Sequence, residues 1–315
     1  LFTMLREEKQ HFLLLRWGEG KKVSSRGAGG ALGRWTWLST FPPLGDKALL
    51  FERLPKSGPW PETVVARTDD EVRCDFEEVY VKHPRRGGGR GTTKARKKEA
   101  LSLARDVRRE AGAVVLQRAV TPATLPRGPS IFELRVWSLF LRHQAFTFSE
   151  WRAKTATLGA TLMNRRVQAN ERDFGRFYEL NVASECDVRA AVPGYDEHTR
   201  PAILAGIDDV HRAVADDIPT DHFLFVGFDF IVQAGSSDPV LLEANVKPPD
   251  RFADPDTQFP SPIVRRLAKA ALADLALLLQ HDFRLLPEPK EEDPLDAEDL
   301  DAASTAKAPL RWLRR

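Results

Sequence analysis

Polar and apolar positions alternate most clearly in FELRVWSLFL (132–141). Leu134, Val136, Ser138 and Phe140 fall on one face, and Glu133, Arg135, Trp137 and Leu139 on the other. A two-residue period predicts a β-strand, and QAFTFSEW is its expected hairpin partner. Further strands are expected at HFLLLRW, at EEVYVK (77–82) and at AVVLQRAV (113–120). Helical spacing predicts helices over 97–112 (Leu101, Leu103, Ala104, Val107), over 200–218 (Ile203, Ile207, Val210, Val214) and over the apolar 263–281. FPPLGDKALLFERL reads as a turn followed by a short helix. Two apolar runs, FLFVGFDFIV and VLLEANV, flank the turn-like AGSSDP and predict a hairpin. Strand pairs joined by short turns, with helices between them, argue for an α+β fold with antiparallel sheets rather than a doubly wound parallel sheet.

The chain has 315 residues, 42% of them hydrophobic, enough for one large domain or several small lobes. The formal net charge of +2 gives no global sign of a nucleic-acid partner, but the charges are uneven. KHPRRGGGRGTTKARKK (82–98) is strongly basic, while the tail after Pro287 is acidic and is expected to be disordered. The two cysteines, Cys74 and Cys186, fit a reducing compartment and exclude a cysteine-rich zinc site. The chain lacks an apolar run of about eighteen residues, so no membrane span is expected. HFLLLRW is too short for a secretory leader, so none is expected. The histidines show no paired metal spacing, and there is no G-x-S-x-G elbow.

Four constellations carry candidate chemistry, one of them Gln117-Arg118 at the end of AVVLQ, which reads more readily as a solvated strand end than as a strand presenting backbone groups to an adenine edge. A strand ends in Lys82 and runs into Gly87-Gly88-Gly89-Arg90-Gly91. Glycines let backbone N–H groups approach phosphate oxygens, and a lysine adds a point charge. The same loop could equally be a basic surface loop, and it matches neither the Walker A pattern nor the dinucleotide fingerprint. A nucleic-acid role for this basic run is disfavoured, because no aromatic residues are interleaved with it. Glu133 and Arg135 share a strand face at i, i+2. They form either a structural pair or a site in which the guanidinium grips a phosphoryl group or an oxyanion. In the predicted hairpin, Glu243 and Asn245 share one face and Asp229 lies on the neighbouring strand. The acids either face solvent or converge on a hard cation such as Mg²⁺. The nearly continuous apolar context favours the second reading.

In order, these pieces resemble the ATP-grasp ligases, and more closely the tubulin–tyrosine ligase-like family. VLQRAVTPATLPRGPSIFELRVWSLF is similar to that family's hinge and core, FLFVGFDFIV with VLLEANVKP to its metal-binding block, and TFPPLGDKALLFERL with PWPETVV to its N-terminal region. The likeness covers about residues 35–280. It implies an ATP-grasp architecture with a nucleotide cleft between two lobes. The divisions would be an N-terminal α/β region (1–66), a central lobe (67–120), a C-terminal lobe with the metal site (121–283) and a tail (284–315). It implies an ATP- and Mg²⁺-dependent carboxylate–amine ligase that works through an acyl phosphate. The ligase would add an amino acid to a protein such as tubulin, by tyrosination, glutamylation or glycylation, as a cytoplasmic, cytoskeleton-associated monomer with no nucleic-acid or membrane partner.

By motif, the resemblance assigns Lys82 and Gly87–Gly91 to the ATP phosphates, and Gln117, Arg118 and Val120 to the adenine pocket. Glu133 and Asn164 also fall at ATP positions. Arg135 would hold the transferring phosphoryl group, Arg152 the amino-acid carboxylate, and Asp229, Glu243 and Asn245 the Mg²⁺. Where the family has Lys-Phe-Asp-Leu-Arg, this chain has Ile131-Phe132-Glu133-Leu134-Arg135. The loss of that lysine opens an alternative reading, a catalytically weak relative that acts as a nucleotide- or microtubule-binding module.

Overall fold

The computed structural model describes residues 12–14, 22–26, 35–38, 40–86, 91–126, 130–157, 182–246, 262–280 and 312–314. Three short strands come first: β1 (Phe12–Leu14), β2 (Lys22–Arg26) and β3 (Trp35–Trp37). The FPPLGDKALLFERL segment then folds as α1 (Pro42–Gly45) and α2 (Lys47–Arg53). Proline suits the start of α1, where its missing N–H costs nothing. The Asp46 carboxylate caps α2 by accepting from Ala48 N–H (2.9 Å) and Leu49 N–H (3.3 Å). Pro55 follows Leu54, whose backbone is extended, and the helix stops there.

The next segment builds a four-stranded antiparallel sheet from β4 (Thr63–Ala66), β5 (Glu78–Lys82), β6 (Thr92–Arg96) and β7 (Val114–Arg118), in the order β4-β7-β5-β6. Helix α3 (Lys97–Ala111) covers one face. Glu99 in its first turn and Arg108 and Arg109 in its last complement the helix dipole, and Gly112 closes it in the left-handed conformation (φ 79°). Val79, Val81, Val114 and Leu116 pack with Ala100 and Ala104 of α3. Alternation therefore turns Tyr80, Lys82, Val115 and Gln117 to the other face. The sheet takes its first strand from residues 63–66, ahead of the expected division at 67.

The remaining strands are β8 (Thr124–Leu125), β9 (Ser130–Phe140), β10 (Ala145–Phe148), β11 (Arg152–Thr157) and β12 (Val182–Ser184). After α4 (Glu185–Ala191) and α5 (Arg200–Val214) come β13 (His222–Val232), β14 (Pro239–Val246), α6 (Pro262–Gln280) and β15 (Trp312–Arg314). Ser184 and Asp187 form a capping box at the start of α4. With β1 to β3 these strands form an eleven-stranded sheet centred on β9 and β13. One edge of β9 pairs with β13. The other pairs with β11 along its first half and with β10 along its second. The even-numbered side chains of β9 and β13 (Leu134, Val136, Phe140, Leu224, Val226, Phe228) join Ile203, Ile207, Val210 and Val214 of α5 in the main core. The fold is thus α+β with antiparallel sheets, as the sequence predicts.

Two expectations change. The β3–β13 pair is parallel, the one parallel pairing among the described strands, because β3 enters the sheet from the distant N-terminal region rather than through a hairpin. The tail is not wholly irregular. Trp312–Arg314 pair antiparallel with Phe146–Phe148, since the outer edge of β10 offers a row of backbone groups that an added strand can satisfy.

Candidate functional site

The alternation read at 132–141 is correct, but the polar face it predicts is buried. Glu133, Arg135, Arg152, Lys154 and Asp229 are all under 9% exposed. Register explains how they meet. Arg152 lies opposite Arg135, Arg135 opposite Asp229, and Asp229 opposite Glu243, while Lys154 lies opposite Glu133. Residues directly opposite in a sheet share a face. Four adjacent strands therefore place their charged side chains in one field, with their apolar neighbours on the α5 side.

The contacts are dense. Arg135 grips Asp229 through two bonds, Nε to Oδ1 and Nη2 to Oδ2 (2.6 Å). Lys154 donates to Glu133 and to Asp229 Oδ1 (3.1 Å). The Asn245 amide nitrogen donates to both Asp229 Oδ2 (3.3 Å) and Glu243 Oε1 (2.9 Å). The expected convergence of Asp229, Glu243 and Asn245 is thus present, with the amide nitrogen between the two carboxylates. Burial alone would raise the Asp229 carboxyl, but Arg135 and Lys154 outweigh it and hold the group well below the usual carboxylate range. Glu133 goes the other way: burial and then the Asp229 charge raise it to about 7 against the pull of Lys154.

A bulge between Asp229 and Phe230 leaves Leu242 without a partner residue on β13. Its carbonyl accepts from Lys82 Nζ at 3.2 Å, so the smaller sheet reaches the larger one at the centre of the site. Burial lowers the Lys82 pKa to about 8, opposed by Glu243. Gln117, on the same face of the smaller sheet, donates to Thr63 Oγ1 (3.0 Å), and its side-chain oxygen is buried with no partner among the described residues. Such an acceptor is costly unless a ligand or water satisfies it.

Gly91 closes the β5–β6 connection with φ 68°, and its carbonyl accepts from His83 N–H at 2.7 Å. A Cβ there would lie 2.8 Å from His83 Cβ, so glycine is required. Gly87, Gly88, Gly89, Arg90 and Asn164 lie outside the described residues. The structure does not bring Arg118 to Gln117. Its side chain points to the opposite face, pairs with Glu62 (3.1 Å) and lies over the Phe76 ring (5.3 Å). Val120 is half-buried in the segment leading to β8. Arg152 is buried, with its guanidinium 5.7 Å from the Trp137 ring centroid. Four side chains of the basic run are matched by carboxylates: Lys94 pairs with Glu78, Lys97 with Asp75, Arg85 with Asp46 and Arg86 with Glu110.

Two site lysines escape the sequence reading. Lys154 is i+2 from Arg152, which places both on one face once the segment is read as a strand. Lys47 has no such signal: only the packing of α2 carries its ammonium to within 3.7 Å of Glu243 Oε2. With them, the described residues of the site include five cationic side chains (Lys47, Lys82, Arg135, Arg152, Lys154) and three carboxylates (Glu133, Asp229, Glu243). Among the described residues the cations outnumber the carboxylates, a balance that suits an anionic ligand. Among the described residues no three His, Cys, Asp or Glu side chains form a group able to hold a metal ion by themselves. No described helix is long and apolar enough to cross a membrane. No protein-family model matches the chain, and no curated protein matches it significantly.

Proposed function

We propose that the protein is an ATP- and Mg²⁺-dependent carboxylate–amine ligase of the ATP-grasp type, adding an amino acid to a protein acceptor such as a tubulin tail. The observation that carries this reading is the meeting of two antiparallel sheets at one cation-rich site. Lys82 reaches from the smaller sheet to β14, where Asp229, Glu243 and Asn245 converge beside Arg135. Two carboxylates and an amide are too few to cage a cation. With the Asn245 amide turned to present its oxygen in place of its nitrogen, they fit Mg²⁺, which takes a few protein oxygens and completes its shell with phosphate and water. When bound there, Mg²⁺ supplies charge neutralisation for the phosphates.

In this reading Lys82 and Arg135 hold the phosphate oxygens and orient the γ-phosphorus toward the attacking carboxylate. The carboxylate oxygen bonds to phosphorus as the bond to ADP breaks, giving an acyl phosphate. The amine nitrogen then bonds to the acyl carbon, the carbon–oxygen bond to phosphate breaks, and the amine proton leaves to solvent. Gln117 offers its unpartnered oxygen to an amino group of the base, and Arg152 binds the amino-acid carboxylate. A cytoskeletal location would follow from a tubulin acceptor.

The internal closure of the ion cluster favours a second reading, a nucleotide-binding relative with weak turnover. Arg135 already has two bonds to Asp229, and position 131 carries isoleucine. The test is release of ADP and phosphate with a panel of amino acids and acceptors, comparing wild type with Glu243→Gln. The ligase reading predicts acceptor-dependent release that falls by about 10²-fold or more in the variant. Release that is unchanged by the substitution would remove Glu243 from the site.

A further inference from the structure

The segment that follows Lys82 does not hang free. It is tied to the start of α2 by three bonds. Lys47 N–H donates to Pro84 O at 2.9 Å, Lys47 Nζ donates to Arg86 O at 2.9 Å, and Arg85 Nε donates to Asp46 Oδ2 at 3.3 Å. Lys47 is 7% exposed, and its ammonium also lies 3.7 Å from Glu243 Oε2. Helix α2 is itself fixed, because Ala48, Leu50 and Phe51 belong to the main core. One side chain therefore joins three parts of the molecule: the core helix, the His83–Arg86 turn of the smaller sheet and a carboxylate on β14. A buried ammonium is an expensive way to hold a turn unless its position matters, since a neutral donor would bond to a carbonyl at lower desolvation cost.

We propose that Lys47 is a positioning residue of the cleft, fixing the His83–Arg86 turn, and through it Lys82, at the distance from Glu243 that an anionic ligand requires. The proposal rests on the nucleotide reading for its ligand, but the hold of Lys47 on the turn is measurable without one. In the free protein, Lys47→Met should speed exchange of the hydrogen-bonded His83 and Arg85 amides by about tenfold, the loss expected for one charge-assisted hydrogen bond. Exchange at Leu50 and Phe51 should stay unchanged, which separates the effect from general unfolding. Lys47→Arg, which can still donate to the Arg86 carbonyl, should restore protection.

Affinity for the Mg²⁺ complex of a non-hydrolysable ATP analogue should fall by about tenfold in Lys47→Met and recover in Lys47→Arg. Unchanged exchange in Lys47→Met would overturn the proposal, and weakened nucleotide binding with unchanged exchange would make Lys47 a direct ligand contact instead. If the wild type binds no nucleotide, the nucleotide reading fails, while the exchange comparison alone decides whether Lys47 holds the turn.

Discussion

Replacing Asp229 by asparagine tests how the buried face is held together. The carboxylate is 2% exposed and receives four donors: two from Arg135, one from Lys154 and one from Asn245. Asparagine keeps the shape but removes the charge, and its amide nitrogen faces donors. Removing one partner of a buried ion pair costs about 3–5 kcal/mol, because the remaining charge stays buried. Part of that loss returns here. Glu133 is raised to about 7 first by burial and second by the Asp229 charge. Without Asp229 it ionises more readily and pairs more fully with Lys154, a recovery of about 1 kcal/mol for each unit its pKa falls.

The expected net cost of Asp229→Asn is about 3 kcal/mol, or a fall of about 6 °C in the thermal midpoint for a chain of this size. Circular dichroism melts at neutral pH read this directly. A double variant, Arg135→Met with Asp229→Leu, removes both charges and should cost less than the sum of the two single changes by about 2 kcal/mol. A midpoint within about 1 °C of wild type for Asp229→Asn, or strict additivity in the double variant, would refute the pairing.

Gly91→Ala forces a Cβ to within 2.8 Å of His83 Cβ at φ 68°, and should cost about 1–3 kcal/mol by urea unfolding. Lys82 should show a pH dependence of known sign. The unfolded chain keeps the lysine proton to about pH 10.4, and the native protein to about 8. Between those values the unfolded state binds more protons, so this group makes stability rise with pH. Wild type should therefore gain about 1–3 kcal/mol relative to Lys82→Met between about pH 8 and 10, measured by urea unfolding at each pH. Parallel curves for the two proteins would place Lys82 in solvent.

What the sequence made legible was local. The alternation at 132–141 announced β9, and the polar residues on opposed apolar runs announced the β13–β14 hairpin with Asp229, Glu243 and Asn245 near one another. Periodicity records which residues share a face, not whether that face is covered. The alternation at 132–141 therefore places Glu133 and Arg135 on one face without showing that this face is buried. Lys154 became visible only through the β9–β11 register, which sets it opposite Glu133. Lys47 depends on how a seven-residue helix packs against the rest of the fold, information that no local pattern carries. Arg118 shows the converse limit. Adjacent to Gln117 in sequence, it points to the other face because strand side chains alternate. The strand at Trp312–Arg314 was hidden within a polar tail, because its stability comes from the open edge of β10 rather than from its own composition.

On the proposed function, the cation-rich meeting place of the two sheets binds a magnesium–nucleotide complex. Titration calorimetry with a non-hydrolysable ATP analogue and Mg²⁺, on wild type and on Lys82→Met, measures it most directly. The expected result is saturable binding in the micromolar range, weakened by about tenfold or more in Lys82→Met. Absence of binding at about 1 mM analogue, or equal affinity in the two proteins, would contradict it.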